Sequence, residues 1–429
     1  MTTTGTILGT SGADTVTASQ SGTRIIGFGG NDTLRGGNGD DVLTGDSPYP
    51  PGDADILAGV LNAPAFKTWA FCYGAQTDTA VLSAASSQML VIPLGRDAQT
   101  TKLAQEIPWT AQQIATIKAS HQVYGYLDVA KINTWQSTGI AAWDPRWTSD
   151  GWATGTPVTG IAPEWLIGGQ TKRDTALADF SVASWKTVLR ERILELINRN
   201  YDGAFLDDVG EYYARVSSGL SNKSIAASAR DMRDLVIDLR NYADSLRPPD
   251  ASGNRFRLIT NGDPYILSNT SADASSPDIV RNDLFGRAID SMLLENQIST
   301  SQPGQANPQL GMNAQAKAVE FARTYPNVTI LSVDIPLGNA TVLTEAQRLK
   351  YITGALSNGF LPYTPDTYLT LAPTFLEILN SANAGPHDDV LDGGPGVNTA
   401  TYSGLRSDYS VTALAGSIIR ARPPAPGVT

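Results

Sequence analysis

A chain of 429 residues with 41% hydrophobic content can bury a sizeable core, as more than one domain or as a large barrel with additions. Its formal net charge of −11 argues against nucleic acid and anionic membrane as partners and tolerates a neutral or cationic substrate. The single cysteine, Cys72, excludes a disulfide within the chain, and no apolar run reaches the length of a membrane span.

The first sixty residues carry a nine-residue frame. Val16, Ile25, Leu34 and Leu43 follow at intervals of nine, and Gly12, Ser21, Gly30 and Gly39 keep the same step. Asp14, Asp32 and Asp41 each precede an apolar residue by two places. A period this strict predicts a solenoid of short stacked turns. Glycines such as Gly30 and Gly39 permit the tight turn. The aspartates offer hard oxygen ligands suited to calcium. The apolar residue points inward, where the next turn covers it. Thr23 replaces the aspartate of the second frame, which is therefore expected to be structural. The frame breaks at Ser47-Pro48-Tyr49-Pro50-Pro51 and is echoed once at Asp53–Gly59.

From about 66 to 380 the texture changes. Eight short apolar runs predict strands at Trp69–Tyr73, Met89–Pro93, Val123–Val129, Gly203–Asp207, Arg257–Asn261, Ile289–Glu295, Val328–Asp334 and Gly359–Tyr363. Helical stretches lie between most of them, including Ser184–Asn200, Ile225–Leu246, Ala314–Thr324 and Thr344–Ser357. This alternation predicts a parallel sheet, and eight units favour a (β/α)8 TIM barrel. A doubly wound sheet is the runner-up, without a Gly-rich phosphate fingerprint to support it. Barrel chemistry sits at the C-terminal ends of strands. Five of these strands finish in a carboxylate or amide: Asp128, Asp207-Asp208, Asn261-Gly262-Asp263, Glu295-Asn296 and Asp334. Carboxylates in an apolar interior are costly, so acids repeated there point to a site or to helix caps. Two facing carboxylates are the equipment of glycoside hydrolysis. The histidines, His121 and His387, end no strand, which leaves serine–histidine and zinc–histidine chemistry unsupported. Trp143, Trp147, Trp152 and Trp165 cluster after the third strand, where aromatic faces can stack on sugar rings.

Near the C-terminus the nine-residue frame returns. Asp389 and Asn398 stand nine apart, as do Leu391 and Ala400, and Tyr402-Ser403-Gly404 and Asp408-Tyr409-Ser410 follow. The two ends resemble RTX (hemolysin-type) calcium-binding repeats over roughly 5–60 and 383–415. That resemblance implies calcium at frames containing Asp14, Asp32, Asp41 and Asp389. It also implies an extracellular destination, and the lack of disulfides and of a cleavable leader pattern fits a type I secretion route. A lone short stack exposes its apolar turns, so the two ends are expected to meet as one solenoid.

The middle carries a second resemblance. The run Asn200-Tyr201-Asp202-Gly203-Ala204-Phe205-Leu206-Asp207-Asp208-Val209 resembles a signature segment of the endo-α-1,4-polygalactosaminidase family of TIM-barrel hydrolases. Tyr124–Val129, Pro163–Leu166, Ile259–Gly262, Ile289–Glu295, Ser332–Asp334 and Gly359–Tyr363 resemble further segments in the family's order. The resemblance implies a catalytic pair, Asp207 as nucleophile or base and Glu295 as general acid, with the roles open to exchange. It implies substrate contacts from Asp128, Asp208, Asn261, Asp334, Tyr126, Trp165 and Tyr363, and a polymer of amino sugars as substrate. Three departures stand out: Val91-Ile92-Pro93 lacks an acid, Gly210 replaces a second aspartate, and Tyr265–Asp283 is a polar insertion. The expected organisation is 1–60 repeats, 61–382 barrel and 383–429 repeat with a β segment, acting as a monomer without membrane insertion. The competing reading is a non-catalytic carbohydrate-binding or cell-surface-layer protein that uses the barrel as a scaffold.

Overall fold

The computed structural model describes residues 5–8, 13, 15–18, 23–28, 32–37, 41–46, 68–72, 78–96, 107–133, 164–172, 175–262, 264–267, 276–300, 308–335, 343–365, 371–372, 374–375, 389–392, 399–401, 410–414 and 418–422. The chain divides into two compact units, 1–63 with 344–359 and 373–429, and 64–343 with 360–372.

The first unit opens with β1 (Gly5–Leu8), β2 (Thr15–Thr17), β3 (Thr23–Phe28), β4 (Thr33–Arg35) and β5 (Val42–Asp46). Odd strands join one sheet and even strands another, all in parallel register. This is the two-sheeted roll that the nine-residue frame predicts. Ile25, Leu34 and Leu43 are buried and pack with Ala18 and Val16. Each such side chain contributes about 1.5–3 kcal/mol on removal from water.

The second unit is a parallel eight-stranded sheet. Its strands are β6 (Trp69–Phe71), β7 (Met89–Ile92), β10 (Gln122–Asp128), β14 (Gly203–Asp207), β15 (Arg257–Asn261), β16 (Ser291–Glu295), β17 (Thr329–Val333) and β18 (Leu361–Tyr363), neighbours in that order. All eight expected strands are present, some trimmed by one or two residues. The intervening numbers are a hairpin of β8 (Gly95–Arg96) and β9 (Ile107–Pro108) and an antiparallel sheet of β11 (Lys131–Asn133), β12 (Leu166–Lys172) and β13 (Thr175–Ala178). These smaller sheets were not foreseen.

Side chains draw the first and last barrel strands together. Trp69 Nε1 donates to Leu361 O at 2.9 Å, and Tyr363 Oη donates to Phe71 O at 3.3 Å. The sheet is thereby a nearly closed TIM barrel. Two aspartates fix the register at the other end. Asp202 accepts the Val123 N–H at 2.8 Å, and Asp290 accepts the Leu258 N–H at 2.9 Å. Each stands just before its own strand and binds the first amides of a neighbour. Gly203 is required by close approach: a Cβ there would lie 2.3 Å from Arg257 O and 2.6 Å from the Tyr124 ring. The long helices cover the sheet. Ile225–Leu246 begins at Ser224, whose hydroxyl accepts the Ala227 N–H, and buries Met232, Leu235, Val236 and Leu239. Among the described residues no helix is long and apolar enough to cross a membrane.

After the barrel the chain returns to the roll. β19 (Asp389–Asp392) pairs parallel with β4, placing Leu391 beside Leu34, and β20 (Thr399–Thr401) pairs parallel with β5, placing Ala400 beside Leu43. β21 (Ser410–Leu414) and β22 (Ile418–Arg422) complete the sheet in antiparallel fashion on β19. The two repeat segments therefore form one solenoid, as the exposed turns of a lone stack predict.

Candidate functional site

β14 and β16 end in the two acids singled out by the sequence, Asp207 and Glu295. Strand alternation sends Phe205 and Asp207 to the same side. Phe205 stacks on Tyr126 with ring centroids 5.8 Å apart and meets Phe71 edge-on at 4.9 Å. An aromatic floor therefore lies beneath the acids.

Asn261, at the end of the intervening strand, links the pair. Its Nδ2 donates to Asp207 Oδ1 at 2.8 Å and to Glu295 Oε2 at 3.1 Å. Laid end to end, these bonds keep the two oxygens within about 6 Å of each other. Asp207 also accepts from Tyr126 Oη and, at 2.8 Å, from the Asp208 N–H. Burial pushes the Asp207 carboxyl up to about 6; the Asp208 charge adds to this, the Tyr126 and Asn261 hydrogen bonds oppose it, and the Glu295 charge raises it further. Glu295 is exposed and Asp207 half-buried.

The backbone after each acid is unusual. Among the described residues three non-glycine residues have positive φ: Asn200, Asp208 at 60° and Asn296 at 56°. Two of the three immediately follow Asp207 and Glu295. Strained backbone of this kind clusters at sites where a side chain must be aimed. Aspartate and asparagine tolerate it better than most residues, so the dipeptides Asp207-Asp208 and Glu295-Asn296 carried a readable signal. Asn296 is anchored by its N–H on Val333 O at 2.7 Å and by its Oδ1, which accepts the Ile335 N–H at 2.7 Å.

A second layer of charge surrounds Asp207. Lys131 Nζ binds Asp208 at 2.8 Å and Glu211 at 2.9 Å. Burial opposes the lysine charge, but these partners hold it above the ordinary lysine range. Asp128 is buried, and its Oδ1 accepts the Ala130 and Lys131 N–H groups at 3.0 and 2.7 Å. Burial, then the charges of Asp208 and Asp207, raise it well above the carboxylate range. Lys131 and Glu211 were not foreseen. They lie beyond the strand ends, in sequence positions that look like ordinary surface charge.

Several residues expected at the substrate are placed in the interior or held by protein partners. Trp165 is 2% exposed and packs on Trp185 with centroids 4.6 Å apart, so its face is taken by the interior. Tyr363 is 3% exposed and joins Trp69 and Phe71 at the barrel closure. Asp334 is 1% exposed and accepts the Ser299 N–H at 2.8 Å, ordering the turn after Glu295. Burial raises its carboxyl to about 6. Asp128 and Asp208 are engaged with backbone amides and Lys131 respectively. Asn261 and Tyr126 stand at the acid pair. Trp143, Trp147, Trp152 and Asp263 lie outside the described residues.

In the roll, Asp32 and Asp41 are wholly buried, each directly before a strand, β4 or β5. An ionised carboxylate so placed needs a compensating charge, and hard oxygens buried nine residues apart fit calcium. Asp389 begins β19. Asp14, Gly30, Gly39 and the echo at Asp53–Gly59 lie outside the described residues.

Residues 24–47 match the family described as the RTX calcium-binding nonapeptide repeat (4 copies). No curated protein gave a significant match. Among solved structures, the chain is similar to the glycoside hydrolase domain of PelA from Pseudomonas aeruginosa, at 13% identity and TM-score 0.45, covering 72% of this chain and 100% of that one. It is similar to Aspergillus fumigatus Ega3 in complex with galactosamine, at 14% identity and TM-score 0.45, covering 72% and 95%. It is also similar to TtGalA, an α-galactosidase from Thermus thermophilus, at 12% identity and TM-score 0.39, covering 78% and 66%.

Proposed function

We propose that this chain is a secreted, calcium-binding polysaccharide hydrolase whose barrel cleaves a glycosidic bond between Asp207 and Glu295. The observation that carries the reading is the bridge from one amide, Asn261 Nδ2, to both carboxylates. A carboxylate that accepts from Tyr126, Asn261 and the Asp208 N–H is held for attack, because each of those donors favours the ionised form. Glu295, exposed and with fewer constraints, suits proton exchange with a leaving group and then with water.

In this scheme Asp207 attacks the anomeric carbon while Glu295 gives its proton to the departing glycosidic oxygen. Glu295 then takes a proton from water, which cleaves the glycosyl–Asp207 ester and releases the sugar with Asp207 free again. The shared Asn261 amide keeps one oxygen of each acid within about 6 Å, a closeness compatible with the double displacement of retaining enzymes. The sequence resemblance makes an amino-sugar polymer, galactosamine-containing and cut internally, the favoured substrate. An acid-rich mouth is compatible with its cationic units. We take 1–60, 61–382 and 383–429 as the working domain limits, and the type I route and extracellular site belong to the same proposal.

The test is digestion of galactosamine-containing polymers with the anomer of the first product followed by proton NMR. Retained configuration is expected, and a trapped glycosyl ester should map to Asp207. An inverted first product would overturn the double displacement. Equal turnover by wild type, Asp207→Asn and Glu295→Gln would overturn the site.

A further inference from the structure

The charged layer behind Asp207 is built outward from the end of β10. Asp128 Oδ1 accepts the N–H groups of Ala130 and Lys131 at 3.0 and 2.7 Å, an aspartate-closed turn that sets where β11 starts. Lys131 then pairs antiparallel with Leu177 of β13, so its backbone is held from both sides. Its ammonium reaches Asp208 at 2.8 Å and Glu211 at 2.9 Å. Asp208 has the left-handed backbone, with φ at 60°. Its carbonyl accepts the Glu211 N–H at 3.0 Å, and its own N–H donates to Asp207 Oδ1 at 2.8 Å.

We propose that Lys131 is a positioning residue for the reaction at Asp207 and acts through Asp208. By gripping the Asp208 carboxylate it keeps the Asp208 N–H aimed at Asp207 Oδ1, and it balances the negative charge that Asp208 brings beside that acid. The inference rests on the reading of Asp207 as the nucleophile and adds the group that keeps it ionised.

The cation stands in a crowd of acids. Around Asp207 are Tyr126 and Asp128 from β10, Glu295 from β16 beyond the neutral Asn261 of β15, and Asp208 from the turn after β14. Glu211, which opens the helix Glu211–Ser217, shares the lysine. Burial works against the lysine charge, yet its two carboxylate partners hold it above the ordinary lysine range, so it stays a cation where a carboxyl titrates. Second only to burial, the Asp208 charge raises the Asp207 carboxyl. Paired with Lys131, Asp208 presents a dipole; alone it presents a full charge, and that acts far more strongly on a close neighbour. A lysine that merely fastened β11 to the turn would change stability or kcat without displacing the pH profile.

The full chain in calcium tests this with Lys131→Met, Asp208→Asn and the two combined. One reading is the acid limb of kcat/KM on a galactosamine-containing polymer. The other needs no turnover: the side-chain carboxyl carbon of Asp207, assigned against Asp207→Asn, is titrated by NMR in isotope-labelled protein. Lys131→Met should move both to higher pH by about one unit, which lowers activity on the limb about tenfold. Asp208→Asn, which tolerates the same positive φ, should move both to lower pH. In the combined variant, Lys131→Met should add no upward displacement. Titrations that stay in place in folded Lys131→Met overturn the proposal. An upward displacement that survives in the combined variant also overturns it, because the lysine then does not act through Asp208. Where Lys131→Met does not fold, Asp208→Asn decides, and a carbon titration that does not move down overturns the proposal. An Asp207 carbon that moves as expected while the rate profile stays, or while no polymer is cut, upholds the link from Lys131 to Asp207 and overturns the catalytic reading instead.

Discussion

The barrel and the roll solve the problem of burying an acid in opposite ways. In the barrel, Asp207 sits among protein donors: Tyr126 Oη, Asn261 Nδ2 and the Asp208 N–H. Beyond them Lys131 balances Asp208 and Glu211. In the roll, Asp32 and Asp41 are buried in a repeat with small turns and an apolar stack, and the composition of the frame points to an ion for their charge. The first arrangement holds its carboxylate with donors from the folded chain itself. The second places its acids in a repeat whose family model is a calcium-binding one. An acid held by protein donors can be tuned, whereas an acid held by a metal is a switch.

The largest expected effect comes from deleting the barrel acids. Asp207→Asn or Glu295→Gln should each lower kcat by about a thousandfold or more, with the calcium-dependent transition of the roll unchanged. A matching loss of calcium response would break the separation drawn here.

Chelation should do the converse. Hydrogen exchange at residues 15–46 and 389–422 should accelerate towards the unfolded rate, while β10, β14 and β15 keep their protection. Uniform protection in both regions would remove the distinction.

Leu34→Ala, in the fully buried centre of the roll, should destabilise that transition by about 2–5 kcal/mol and leave the barrel melt in place. Differential calorimetry in calcium reads both transitions.

The smallest effect sharpens the account of Asp207. With its carboxyl at about 6, activity that needs the anion should fall tenfold per pH unit below that value. The Tyr126 hydrogen bond works to lower the Asp207 value, so Tyr126→Phe should move the acid limb to higher pH. A limb that stays in place or moves down would contradict the assignment. The same raised value has an opposite sign for stability. A carboxyl that binds its proton more tightly when folded loses stabilisation as pH rises from the unfolded carboxylate range through about 6, so Asp207→Asn should flatten that part of the stability curve.

The fold was legible because both of its periods are local. Alternating apolar runs and helices announce a barrel wherever each strand is covered by the next helix, and Gly203–Asp207 and Arg257–Asn261 were read with their observed limits. The nine-residue step fixed Ile25, Leu34 and Leu43 as core. Strand-end position also nominated Asp207, Glu295 and Asn261. It could not separate groups that face the mouth from groups that serve the scaffold. Asp334 and Trp165 have the right type and place in sequence, yet one orders the turn after Glu295 and the other packs on Trp185.

The sequence by itself determined the periodicities, the strand-end acids and the aspartates of the repeat frames, because each depends on residues close together along the chain. Tertiary structure alone decided that Asn261 spans both acids, that Lys131 pairs with both Asp208 and Glu211, and which strands of the two repeat ends pair, β19 with β4 and β20 with β5. Those contacts join residues from 34 to more than 350 positions apart, and distance along the chain carries no record of which groups a closed sheet brings together.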